Sequence, residues 1–372
     1  MCMKPFVSLF FSLALAACGQ KSEPAPEAAP MVVIEAQAVD EFGSFDVPVR
    51  GIAFWAHSTL PYNGLLIAAS ESGIVAFNME DGEEVARVDG VPATGISVSY
   101  TGSGAAAQGY AAVSMSGGDI GFFAIDNATR ALVSLSSLHI AGDKDDRGFC
   151  LGRNERGDKL VLYQMRANGW RSRTMGADGA AGEPKTSPFR GGFLACVADD
   201  IDRAVFAINA AGDIYRIAAD GSVAKSPLAR TGVKNAAGFG LSLSGLVEGS
   251  PTEECCGALY VLDGANATVR IYDRDDGRAI GAVRLTASFD VDGVGAATAM
   301  GVGAGNFGAV YRDGVLALAP AGETTSARLV PLNAVMNALA EPLGPAVDLR
   351  ALGVQEEEAP GLDIDVGDPL NP

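Results

Sequence analysis

The chain has 372 residues, 48% of them hydrophobic, with 45 acidic against 27 basic side chains and a formal net charge of −18. That balance excludes a nucleic-acid binder, which needs a basic footprint to meet the phosphates. The length suits one large all-β domain with a leader and a tail.

The first segment reads as an address. Lys4 supplies its charge and Phe6 to Leu15 its apolar core, a run too short to span a bilayer stably. Leu15-Ala16-Ala17-Cys18 then matches a bacterial lipobox. Residues 1–17 are therefore read as a lipoprotein signal peptide, and Cys18 as the acylated residue that anchors the chain to the membrane. Gly19, where Asp would retain the protein at the inner membrane, points to an outer-membrane lipoprotein of the bacterial envelope, facing the periplasm or the surface. Residues 18–40 follow as a tether, built on the stiff Pro/Ala/Glu stretch Ser22 to Pro30.

From Leu65 onward one unit recurs six times: apolar strand, Gly or small-residue turn, apolar strand, Asp-Gly-type turn, third strand. The copies open at Leu65, Tyr110, Leu160, Ala204, Ala258 and Gly308. Steps of roughly 44 to 54 residues are the period of four-stranded propeller blades, not of helical repeats. The expected fold is all-β, a six-bladed β-propeller of four-stranded antiparallel blades over residues 41–340. The tail, residues 341–372, is acidic and Pro-rich, and its Asp363-Ile364-Asp365-Val366 suits a sheet edge. In a propeller, ligands sit at a mouth of the central channel, so function rests on the loops there.

Generic catalytic patterns are scarce. Of the cysteines left after export, Cys150 and Cys196 admit two readings, a bridge between neighbouring blades or two buried thiols. Cys255 and Cys256 are adjacent rather than spaced as CxxC and read as structural. His57 and His139 each lack a second His or Cys at metal-ligand spacing and read as hydrogen-bonded or exposed imidazoles. Gly102-Ser103-Gly104 and Gly301 to Gly305 precede no helix, so they read as turns rather than phosphate cradles. Asp81-Gly82, Asp220-Gly221, Asp276-Gly277 and Asp313-Gly314 are hairpin turns, as are the sequon-like Asn127-Ala128-Thr129 and Asn266-Ala267-Thr268.

More specific strings occur in register. They are Ala53-Phe54-Trp55, Leu66 to Ser70, Arg147-Gly148-Phe149-Cys150-Leu151, Cys196-Val197-Ala198-Asp199-Asp200, Ile271-Tyr272-Asp273-Arg274 and Val291-Asp292-Gly293-Val294. In order and spacing they resemble the β-propeller phytases, the calcium-dependent alkaline phytases, over about residues 45–335. The resemblance implies a six-bladed propeller that hydrolyses inositol phosphates. In that family a calcium-bridged water attacks phosphate, carboxylates hold the calcium, and Lys and Arg clamp neighbouring phosphates. At the matching positions this chain carries other residues: Arg50-Gly51-Ile52, Ser70-Glu71, Gly95-Ile96-Ser97, Arg147, Phe193-Leu194-Ala195, Ala237 to Leu241 and Gly295 to Gly301. The calcium and phosphate ligands are largely replaced, so no catalytic or metal-binding residue is assigned. The expectation is a catalytically degenerate propeller that binds a phosphorylated small molecule or an envelope protein. Arg50, Arg147 and Arg190 are its candidate anion-binding residues, standing at or beside the family's ligand loops; the other reading makes them solvated loop rims. Two alternatives stand beside this one. The first is a divergent phosphoesterase using Asp143, Asp145, Asp146 or Asp292, and the second is a structural envelope scaffold.

Overall fold

The computed structural model describes residues 31–116, 118–135, 146–154, 156–244, 256–322, 325–341 and 347. The expected signal peptide, Cys18, His139, Asp143, Asp145, Cys255 and almost all of the tail lie outside them.

The chain enters through β1 (Val33–Gln37) and β2 (Asp40–Phe45), both used later in the ring. Blade one is β3 (Val49–Trp55), β4 (Leu65–Ser70), β5 (Gly73–Asn78) and β6 (Glu84–Asp89). Blade two is β7 (Ala93–Thr101), β8 (Gln108–Met115), β9 (Ile120–Ile125) and β10 (Leu132–Ser134). Blade three is β11 (Asp146–Arg153), β12 (Leu160–Arg166), β13 (Gly169–Met175) and β14 (Lys185–Pro188). Blade four is β15 (Ala195–Asp199), β16 (Ala204–Ile208), β17 (Asp213–Ile217) and β18 (Ala229–Arg230). Blade five is β19 (Gly238–Ser244), β20 (Cys256–Asp263), β21 (Thr268–Asp273) and β22 (Ala279–Thr286). Blade six takes β23 (Ala297–Gly303), β24 (Val315–Pro320) and β25 (Thr325–Pro331), and α1 (Leu332–Ala338) follows.

Blade six is completed by β2, which pairs antiparallel with β25 through Asp40↔Leu329 and Phe42↔Ala327. The first part of the chain thus closes the ring against the last, and Tyr311 Oη donates to Asp40 Oδ2 at 2.5 Å across the same seam. Closure by a strand from the other end removes the free edge that an open ring would leave. Strand β1 runs parallel to β22 as a fifth strand of blade five, from Val33↔Ala282 to Gln37↔Thr286. Its residues fall in the stretch read as tether. The reason is its alternation: Ile34 and Ala36 turn onto the blade-five core while their neighbours face out.

The six repeat units are the six blades, but their phase differs from the sequence reading. The strands read as first, at Leu65, Tyr110, Leu160, Ala204 and Ala258, belong to second strands, and the sixth begins at Val315 rather than Gly308. Second strands are sandwiched between neighbouring blades and are the most continuous apolar runs: in blade one every residue of LLIAAS (β4), and of GIVAFN (β5) beside it, is buried. Innermost strands line the axis and are mixed and glycine-rich, as in VRGIAFW (β3), so they carry a weaker strand signal.

Those glycines have a packing cause. A Cβ on Gly148 of β11 would stand 2.2 Å from the Leu194 carbonyl oxygen, and one on Gly51 of β3 would stand 2.9 Å from the Ile96 amide nitrogen. Inner strands of adjacent blades approach almost backbone to backbone there. Gly148→Ala should therefore cost about 1–3 kcal/mol or more through overpacking. Gly295→Ala is the control, since a Cβ there meets nothing within 4 Å. Chemical denaturation of the two variants side by side checks this; equal midpoints would show that the inner strands are free to spread.

Candidate functional site

All six inner strands contribute to a cavity of about 190 Å³ on the propeller axis. Each gives it an apolar side chain: Ile52, Ile96, Phe149, Val197, Phe239 and Met300. Phe54 and Phe307, ring centroids 5.5 Å apart, add an aromatic wall. Tyr100, which also lines the cavity, accepts the Ala56 amide on its hydroxyl at 2.7 Å. No acidic or basic side chain is among the described residues lining the cavity.

The calcium ligands implied by the family resemblance belong around the starts of these inner strands. The side chains present do not fit the ion. Calcium takes six to eight oxygen ligands, mostly carboxylate and carbonyl. Among the described residues no group of three or more His, Cys, Asp or Glu side chains is placed to hold a metal.

Inner strands start on one face of the ring, and that face carries the candidate arginines. Arg50, the second residue of β3, donates to Glu71 Oε1 at 3.1 Å, both side chains being exposed. Arg147 is exposed near the start of β11, and Arg190 is exposed in the β14–β15 connection. None of the three lines the axial cavity. Asp146 is held within its own blade, with Arg171 Nη2 at 2.5 Å and Arg166 Nε at 3.5 Å, and it also accepts Gln164 Nε2 at 3.1 Å. Asp292 is exposed in the β22–β23 connection, and its carbonyl accepts Arg328 Nε at 3.1 Å.

Three of the strings singled out in the sequence are joined to one another at the blade interfaces. Cys150, in the Arg147–Leu151 string, is disulfide-bonded to Cys196, which opens the Cys196–Asp200 string, with Cα atoms 5.6 Å apart. Asp199, from that second string, receives Arg274 of the Ile271–Arg274 string at 2.7 Å from Nε and 2.6 Å from Nη2. Both partners are buried, Arg274 at 3% side-chain exposure and Asp199 at 0%. Burial, the largest influence, works against the charged guanidinium, but the Asp199, Asp202 and Asp275 carboxylates beside it together outweigh that and raise the Arg274 pKa. Asp199 Oδ1 also accepts the amides of Ile201 and Asp202, which orients the carboxylate. Asp200 is buried next to the Arg153 amide at 2.9 Å, and desolvation pushes its carboxyl pKa up despite the neighbouring arginines.

His57 is built into a loop. Its Nδ1 accepts the Thr59 and Leu60 amides at 3.1 Å each, so the ring proton sits on Nε2, which donates to the Asn127 carbonyl at 2.9 Å. Asp81, Asp220 and Asp276 each accept the amide two residues on, the side-chain-capped geometry of tight turns.

Neither a protein-family model nor a curated protein matches the chain. Among solved structures it is similar to the β-propeller domain of Cps50 (Swd1) from Myceliophteria thermophila, with 12% identity, TM-score 0.42, and coverage of 75% of this chain and 82% of that one. It is also similar to streptogramin B lyase, with 12% identity, TM-score 0.47, and coverage of 78% of this chain and 96% of that one. Blade count, closure and axis together define the chain as a six-bladed β-propeller whose central cavity is walled by apolar side chains.

Proposed function

We propose that the chain is a phytase-like propeller without catalytic turnover, acting as a binding module of the bacterial envelope and anchored through lipid on Cys18. The observation that carries the reading is that, among the described residues, no charged side chain lines the axial cavity. Where calcium-dependent phosphate hydrolysis needs converging carboxylates, the inner strands present Ile52, Ile96, Phe149, Val197, Phe239 and Met300. Without oxygen ligands nothing concentrates a metal-activated water there. Arg147 and Arg190, exposed on the face where inner strands begin, supply charge for an anionic ligand or partner.

The phosphoesterase alternative loses support from Asp146, whose carboxylate is already occupied by Arg166, Arg171 and Gln164. Incubating the full chain with inositol hexakisphosphate, with and without calcium, should release no phosphate, and calcium should leave the thermal midpoint unchanged. Calcium-dependent phosphate release would overturn the reading.

A further inference from the structure

The lining of the axial cavity selects against ions. None of the described residues around it is exposed, and none carries a charge. An ion drawn inside would lose its hydration and meet no opposite charge, which is strongly unfavourable.

Polarity comes from the backbone instead. Each inner strand is the last strand of its sheet and pairs along one edge only. Alternate N–H and C=O groups on the other edge therefore turn towards the axis. Two of them show the direction, each reaching a side chain of another blade. The Leu151 amide donates to Ser97 Oγ at 3.0 Å, and the Ala56 amide donates to Tyr100 Oη at 2.7 Å.

The aromatic wall is fixed in place. Phe54 and Phe307 are buried, and their rings meet at 54°. A Cβ on Gly303 would stand 2.8 Å from each of them, so both rings are seated directly against the β23 backbone. Phe149, Phe239 and the Met300 thioether add aromatic and polarisable surface to the same cavity. Side chains already held in position cost little ordering entropy when a ligand arrives. Size sets the last limit. At about 190 Å³ the cavity is somewhat larger than the roughly 150 Å³ apolar cavity that accepts benzene, so it suits one substituted ring.

We propose that the axial cavity binds a small uncharged aromatic molecule, a single ring carrying one hydrogen-bonding group. The ring packs on Phe54 and Phe307, and the polar group meets an inner-strand edge. This goes beyond the anionic reading above and does not depend on it: inositol hexakisphosphate can fail to bind while this site fills.

Calorimetric titration of the full chain at neutral pH with p-cresol, toluene and p-toluate tests it. The three share a ring and differ in its substituent: a neutral hydroxyl, none, or a carboxylate. p-Cresol should saturate and bind about tenfold or more tightly than p-toluate, which must bury an unpaired charge. It should also bind at least as tightly as toluene, because the strand edge replaces the water its hydroxyl gives up. Val197→Phe fills the cavity from β15 and should weaken p-cresol about tenfold or more. Ala304→Leu fills it from the loop after β23, so it tests the site even if Val197→Phe disturbs the ring, and thermal melts confirm that each variant is folded. The proposal is overturned if p-cresol does not saturate, if p-toluate binds equally well, if toluene binds about tenfold more tightly than p-cresol, or if a folded filling variant binds p-cresol like the parent.

Discussion

Arg274→Met should lower the stability of the propeller by about 3–5 kcal/mol, the cost of leaving one member of a buried ion pair without its partner. The expectation rests on Asp199, which is fully buried and faces Arg274 at 2.6 and 2.7 Å from two different guanidinium nitrogens. Once Arg274 is gone, Asp199 keeps, among the described residues, the Ile201 and Asp202 amides, too little to solvate a charge in the interior. The double variant Asp199→Leu with Arg274→Met should recover much of the loss, because it removes the stranded charge as well as the pair. Urea denaturation of the parent, both single variants and the double variant measures the coupling directly. A single-variant loss under about 1 kcal/mol would mean that water reaches this pair, contrary to its burial.

Reducing the Cys150–Cys196 bond should have the second-largest effect. The two residues are 46 apart in sequence, and a loop of that length stabilises by roughly 4 kcal/mol through the unfolded chain in the entropic account. Packing tempers the loss, since both cysteines are buried in the core shared by blades three and four and suit that core as thiols. The expected result is a thermal midpoint that falls when reductant is added to the parent. In the Cys150→Ala, Cys196→Ala variant, reductant should make no difference. An unchanged parent midpoint, with thiol labelling showing that the bond had opened, would contradict it.

Both predictions bear on blade four. Its strands offer the least hydrogen bonding of any blade, and it is joined to blade three by the disulfide and to blade five by the Asp199–Arg274 pair. Three of the strings quoted from the sequence, those around Cys150, Cys196–Asp199 and Arg274, thus fasten blade to blade rather than line a catalytic axis.

Repeats, turns and blade count were readable because the second strand of most blades is largely buried, so that apolar runs such as Leu65–Ser70, Ala204–Ile208 and Val315–Pro320 recur with the blade. The inner strands were not readable as such. Gly51 and Gly148 look like loop residues until the ring brings Ile96 and Leu194 against them. Strand β1 was likewise hidden beyond a Pro-rich stretch, and its partner β22 lies some 250 residues downstream.

The sequence by itself determined a six-bladed propeller, its Asp-Gly turns and an acidic surface, all of which follow from local pattern and composition. Only the tertiary structure decided that no charged side chain of the described residues lines the axial cavity, that Cys150 bonds to Cys196 and that Asp199 and Arg274 meet. These depend on which residues of separate blades face one another, and that follows from closing the ring, which no local stretch of the chain encodes alone.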